Sequence, residues 1–197
     1  MPSAAAFRAW LDVREGPLRG GTSPSRRPPE TLIVGPHAVL HFRALTSNDQ
    51  DKLWHWLHVA LWDPPPAPLR PLEVLMNPGV RIYAEQWGRS TDVGIVAMVD
   101  DADIGACWLR LLPEGVGLGY VDANTPQLGI ALDLSFQHKG FGQPLMLEGL
   151  AAARRACYKQ VSLTVHPENR AQYMYEKCGF KKVGSRNGYH LMVANMA

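Results

Sequence analysis

A glycine-bearing turn carries the clearest chemistry in the chain. Gln137-His138-Lys139-Gly140-Phe141-Gly142 follows an apolar run, Gly129-Ile130-Ala131-Leu132-Asp133, and leads into a helical pattern. A strand entering a helix through such a turn makes an anion site. The first helical N–H groups lack intrahelical partners, and the helix dipole places about half a positive charge there. Gly140 and Gly142 let the backbone approach phosphate oxygens where a Cβ would intrude, and Lys139 adds a positive charge. The turn is not one of the common nucleotide loops. It lacks a Gly-Lys-Ser/Thr ending, and Leu145 stands where a dinucleotide fingerprint has its third glycine. Taken alone, the two glycines are weak evidence and read first as a tight bend with no ligand.

Composition narrows the remaining chemistry. With 197 residues, 46% of them hydrophobic and 19% charged, the chain suits one well-buried soluble domain. A net charge of +2 is too small to imply nucleic acid as a partner. No apolar run is long enough to span a membrane. Cys107, Cys157 and Cys178 are widely spaced, with no Cys-x-x-Cys and no His pair nearby. They read as packing thiols in a reducing cytoplasm, with no disulfide framework and no metal site.

The elements that must hold the turn follow from periodicity. Residues 1–30, with Gly20-Gly21-Thr22-Ser23-Pro24-Ser25, have no apolar period and read as a mobile extension, leaving residues 31–197 as the domain. Alternation around Val39–Arg43 predicts a strand. Thr46 and Asp49 predict a helix start, Leu53, Trp56, Leu57 and Ala60 its buried stripe, and Pro64-Pro65-Pro66 its stop. One or two short helices lie between Leu69 and Trp87, broken at Asn77-Pro78-Gly79. Strands Val93–Val99 and Ile104–Leu111 form a hairpin across Asp100–Asp103. Strand Leu128–Leu134 enters the turn and a helix from Gly142 to about Cys157 leaves it, with Pro144 in its first turn. Strand Val161–Val165, a helix from about Asn169 to Lys177, and strands Phe180–Val183 and Tyr189–Val193 complete a mixed α/β pattern.

Two motifs in this order carry a family resemblance. Gln137-x-x-Gly140-x-Gly142 resembles the Gln/Arg-x-x-Gly-x-Gly/Ala motif of the GNAT acetyltransferases. The stretch from Asn169 to Phe180, with Ala171, Tyr175, Glu176, Gly179 and Phe180, resembles the family's second signature. Similarity reaches back through Trp87-Gly88-Arg89 and Gly105–Arg110, covering most of residues 38–195. The resemblance implies an α/β fold: a mostly antiparallel twisted sheet of about six or seven strands, about four flanking helices, and a splay between strands 4 and 5. It implies an acetyl-CoA-dependent N-acetyltransferase, a cytoplasmic acyltransferase that is a monomer or homodimer and uses no metal.

The resemblance also assigns roles. Ile130, Ala131 and Leu132 would offer main-chain hydrogen bonds to the pantetheine arm lying in the splay. Gln137, His138, Lys139, Gly140, Phe141, Gly142 and Gln143 would hold the diphosphate. Asn169 would hydrogen-bond the cofactor, its alternative role being a helix cap. Tyr175 is the candidate general acid for the departing thiolate, its alternative role being simple packing. An ammonium acceptor must also lose a proton, since a lysine amine has a pKa of about 10.4 and an α-amino group about 8. Related ribosomal-protein N-terminal acetyltransferases carry Glu five residues before the Asn, where this chain has Thr164. Others have an acid at the start of the fourth strand, where this chain has Pro126-Gln127. Asp122, Asp133, His166, His55 and His58 remain as bases in principle, and a water route is equal to any of them.

The acceptor amine belongs to a small molecule or a protein. Trp54, Trp56, Trp62 and Trp87 could line its pocket, although Trp56 also falls on the buried helix stripe. The segment shows no acidic cluster suited to a polyamine. A non-catalytic acetyl-CoA-binding regulatory module is the alternative to the enzyme.

Overall fold

The computed structural model describes residues 39–196. The expected extension of residues 1–30, and the start of the domain up to residue 38, lie outside the described residues.

A seven-stranded sheet has the order β1-β2-β3-β4-β5-β7-β6. Its strands are β1 (Leu40–Ala44), β2 (Val93–Val99), β3 (Ala102–Arg110), β4 (Gln127–Leu132), β5 (Gln160–Val165), β6 (Lys181–Arg186) and β7 (Tyr189–Asn195). Every neighbouring pair is antiparallel except β4 and β5, which run parallel. Among the described residues four α-helices accompany the sheet: α1 (Gln50–Ala60), α2 (Pro78–Arg81), α3 (Gly142–Arg155) and α4 (Ala171–Lys177). This is the acyl-CoA N-acyltransferase architecture. No helix among the described residues is long and apolar enough to cross a membrane.

Local chemistry explains the main boundaries. The Thr46 N–H donates to Asp49 Oδ2 at 2.8 Å, opening the turn that leads into α1. Leu53, Trp56 and Leu57 are its buried stripe, and the helix stops at Ala60 ahead of the prolines. Asn77 caps α2 by accepting the Gly79 N–H at 2.9 Å. The β2–β3 hairpin is tighter than its sequence suggests. Asp100 and Asp101 have φ of 49° and 63°, a two-residue left-handed turn, so β3 begins at Ala102. Asp103 thereby becomes a strand residue and accepts hydrogen bonds from Arg43 and Lys52. Cys107 and Cys178 are buried as packing thiols, whereas Cys157 is exposed in a left-handed position just past α3.

Asp49 links β1 to the start of α1 and makes stability depend on pH. Burial alone would raise its carboxyl pKa. Hydrogen bonds from both Arg43 Nη atoms (2.7 and 2.9 Å) and from Thr46 outweigh this and hold it at about 2. A depressed carboxyl stabilises the fold above its unfolded pKa, near 3.9, and that contribution is lost as pH falls through 2. Urea titrations are expected to show a loss of about 2 kcal/mol across this window. Asp49→Asn should be less stable by a similar amount at pH 7, with this part of the acid loss gone.

Candidate active site

The two parallel strands pair at one point, the first residue of β4 and the third of β5. Gln127 lies opposite Ser162, whose N–H donates to the Pro126 carbonyl at 3.1 Å. Beyond that point β4 is zipped to β3 and β5 to β7, each along its outer edge. The inner edges of Leu128–Leu132 and Leu163–Val165 carry no ladder between them. The two outer ladders therefore hold the gap open.

Helix α1 spans the open end on one face. His55 Nε2 and Trp56 Nε1 donate to Asp133 Oδ1 at 3.0 and 3.2 Å, just past β4. Trp62 packs on His166, just past β5, with ring centroids 5.5 Å apart. Helices α3 and α4 occupy the opposite face, where Met174 of α4 approaches Gly142 of α3. The gap thus has an α3/α4 side and an α1 side.

The glycine turn lies at the C-terminal end of β4. A short turn at Leu134–Phe136 ends the strand earlier than its apolar run suggests. Gln137 folds back so that Nε2 donates to the Leu132 carbonyl at 2.9 Å, which shapes the turn from behind. His138 and Gly140 take left-handed φ of 59° and 89°, and α3 begins at Gly142 with no side-chain cap. Its first N–H groups are therefore open to a ligand. His138, Lys139, Gly140 and Gln143 are exposed, and Phe141 and Gly142 partly so. Lys139 Nζ stands 5.7 Å from the Phe136 ring. No atom lies within 4 Å of where a Gly140 Cβ would be, so this glycine serves the turn geometry and not internal packing. Gly140→Val is expected to leave the core intact and weaken acetyl-CoA binding about tenfold or more, or about 1.4 kcal/mol, by calorimetry.

Asn169 and Tyr175 approach from the far side of β5. Asn169 Oδ1 accepts the Ala171 N–H at 2.9 Å, so it caps α4. Its amide nitrogen makes no hydrogen bond to the described residues. Tyr175 is buried against Phe180, ring centroids 6.1 Å apart. Burial pushes its phenol well above the usual range, and the nearby Cys107 and Cys178 add to this. Tyr175 therefore holds its proton at neutral pH.

The candidate bases are all engaged. Gln127 is buried, its Oε1 accepting from the Tyr83 hydroxyl (2.8 Å) and the Gly119 N–H (3.1 Å), its Nε2 donating to the Val116 carbonyl (2.7 Å). It ties down the Gly115–Gly119 loop. Asp122 accepts from the Asn124 N–H and from Gln160 Nε2, both at 2.8 Å, bonds that hold it below the usual carboxylate range. It borders a separate groove of about 600 Å³ toward the N-terminal ends of β4 and β5, away from the glycine turn. His58 Nε2 donates to the Arg70 carbonyl at 2.6 Å. His166 Nδ1 accepts the Glu168 N–H at 3.2 Å, so the neutral ring carries its proton on Nε2 and has no open lone pair. Asp133 holds His55 and Trp56.

Of the four tryptophans considered for the acceptor, Trp56 and Trp87 are buried core, while Trp54 and Trp62 are partly exposed. Sequence reasoning missed the Arg110–Asp92 pair, whose side chains are 0% and 1% exposed. Arg110 also donates to the Ile82 and Glu85 carbonyls at 2.9 and 2.7 Å and lies 5.1 Å from the Trp87 ring centroid. It anchors the segment around α2 to the sheet. The only available signal was an arginine inside an apolar strand.

Among solved structures the chain is similar to PaiA N-acetyltransferase from Thermoplasma acidophilum in complex with coenzyme A. Identity is 19%, covering 80% of this chain and 99% of that one, with a TM-score of 0.56. Aminoglycoside acetyltransferase AAC(6')-Ib in complex with coenzyme A is 20% identical, covering 80% and 95%, with a TM-score of 0.54. A spermidine N-acetyltransferase SpeG chimera from Vibrio cholerae and hSSAT is likewise 20% identical over 80% and 95%, with a TM-score of 0.54. No curated protein matches the chain. The model of the acetyltransferase (GNAT) family matches residues 54–180, which take in the gap, the glycine turn and Tyr175. With the open β4–β5 pair leading into an uncapped helix, that match over most of the chain makes it a member of the GNAT acetyltransferase family.

Proposed function

We propose that this acetyl-CoA-dependent acetyltransferase moves the acetyl group directly to a primary amine. The observation that carries the reading is the unladdered β4–β5 gap ending at the uncapped N-terminus of α3. Acetyl-CoA supplies the activated acyl group. Of Ile130, Ala131 and Leu132, the Ile130 main-chain groups and the Leu132 N–H face the gap and are offered to its pantetheine arm, while Ala131 turns its main chain to β3 and the Leu132 carbonyl is held by Gln137. The amides from His138 to Gln143, shaped by Gln137 and aided by Lys139, receive its diphosphate. Asn169 caps α4 with its oxygen and offers its amide nitrogen to the same ligand.

Tyr175 is the proton donor. A buried phenol that stays protonated can hydrogen-bond and protonate a departing thiolate, and proton transfer of this kind contributes about 10²–10⁴-fold. The amine's proton leaves through water, because the histidines and carboxylates around the gap are engaged by other groups. Holding both reactants in one gap is the larger contribution, about 7–11 kcal/mol in favourable cases.

Thiol release from acetyl-CoA in the presence of a panel of primary amines tests this. Turnover with any acceptor supports the enzyme. Tight acetyl-CoA binding with no turnover supports the second reading, a regulatory acetyl-CoA-binding module, which the engaged state of every candidate base favours.

A further inference from the structure

The α1 side of the gap carries an aromatic wall that no catalytic assignment uses. Thr164 and His166 alternate onto one face of β5. On that face His166 sits between two rings, Trp62 at 5.5 Å and Tyr189 of β7 at 5.5 Å edge-on. All three rings are partly exposed. They come from three separate segments and meet where α1 crosses the mouth of the gap, opposite the α3/α4 side assigned to acetyl-CoA.

The charges around this wall are neutral to positive. Asp63, next to Trp62, is taken up by a two-pronged pair with Arg70 at 2.6 and 2.5 Å. Glu85 is held by Arg81 at 2.8 Å. Glu73 is then the one carboxylate between Trp54 and Trp87 left without an ion pair. Arg186, exposed on β6, stands directly across from Tyr189 in the β6–β7 ladder. Such a bay has flat apolar surface for a ring and leaves the amine of that ligand to project toward the gap. It offers nothing to a second or third ammonium, and Arg186 repels them.

We infer that the acceptor is a primary monoamine borne on a flat apolar body, seated against Trp62, His166 and Tyr189, and not a polycation. The inference rests on the proposed N-acetyltransferase activity and deepens it. In the transfer, the amine nitrogen bonds to the acetyl carbon, the carbon–sulfur bond breaks, the sulfur leaves with its electron pair, and the amine's surplus proton passes to water.

Thiol release is to be measured with phenethylamine, tryptamine, spermidine, kanamycin and a short peptide with a free N-terminus. The expected kcat/KM for tryptamine or phenethylamine is at least about tenfold above that for the other three. Trp62→Ala should raise the tryptamine KM about tenfold with acetyl-CoA affinity unchanged. Arg186→Glu, at an exposed position whose one hydrogen bond is to the Leu118 carbonyl at 3.4 Å, should raise kcat/KM for spermidine several-fold while leaving tryptamine within about twofold. Spermidine, kanamycin or peptide matching the arylalkylamines on the native chain overturns the acceptor class alone. So does an Arg186→Glu variant with an unaltered substrate ratio. No release to any amine from a chain that binds acetyl-CoA removes the enzyme reading, and this inference with it.

Discussion

Tyr175→Phe is expected to lower kcat by about 10²-fold or more while acetyl-CoA affinity stays within about twofold. The change deletes one hydroxyl and leaves the ring packed on Phe180, so the core is barely disturbed. The hydroxyl makes no hydrogen bond to the described residues, and its loss strands no buried partner. What it removes is a protonated donor that burial keeps loaded across the neutral range. Stopped-flow thiol release with the best acceptor measures the rate, and calorimetry with acetyl-CoA measures the affinity. A variant of unchanged rate would leave Tyr175 with a packing role only. A variant that loses rate and affinity together would place the hydroxyl in cofactor binding.

The largest stability effect is expected at Arg110. Arg110→Ala should cost about 3–5 kcal/mol and lower Tm by roughly 10 °C or more. The guanidinium and the Asp92 carboxylate are both out of solvent, joined by Nε–Oδ1 and Nη2–Oδ2 bonds of 2.9 and 2.6 Å. Alanine would leave that carboxylate buried without its cation and two carbonyls, of Ile82 and Glu85, without donors. Arg110→Lys should recover only part of the loss, because an ammonium lacks the flat two-pronged fork that grips both Asp92 oxygens while its far side reaches the carbonyls. Urea unfolding of the three proteins reads this out. A loss under about 1 kcal/mol for the alanine variant would show that the pair does not anchor the α2 segment.

The difference between these two residues shows what the sequence made legible. The glycine turn was readable because everything it needs is local: an apolar strand, two glycines, and a helix pattern after them. Tyr175 was singled out because its motif neighbours, Asn169 and Gly179-Phe180, stand in sequence beside it, and its burial in α4 is what the structure adds. The splay was expected from the family resemblance and is explained by pairing partners that no period reveals. Alternation marks β5 as a strand but does not say that β7 takes one edge and leaves the other bare. Arg110 escaped notice because its partners are backbone carbonyls and an aspartate eighteen positions away. The short hairpin turn was placed too widely because two aspartates adopting left-handed φ carry no glycine to announce it. Trp87, read as a possible acceptor contact, is core because Leu45 accepts its indole N–H and Arg110 covers its ring. The Trp62–His166–Tyr189 wall joins residues more than a hundred positions apart, so only the fold could assemble it.

The central claim concerns where acetyl-CoA lies, and a crystal structure of the chain grown with acetyl-CoA tests it most directly. The account predicts diphosphate oxygens within hydrogen-bond reach of the His138–Gln143 amides. It predicts the pantetheine arm running along Ile130–Leu132 and the sulfur beside the Tyr175 hydroxyl. A cofactor bound elsewhere, with the β4–β5 gap closed or filled by side chains, would contradict it.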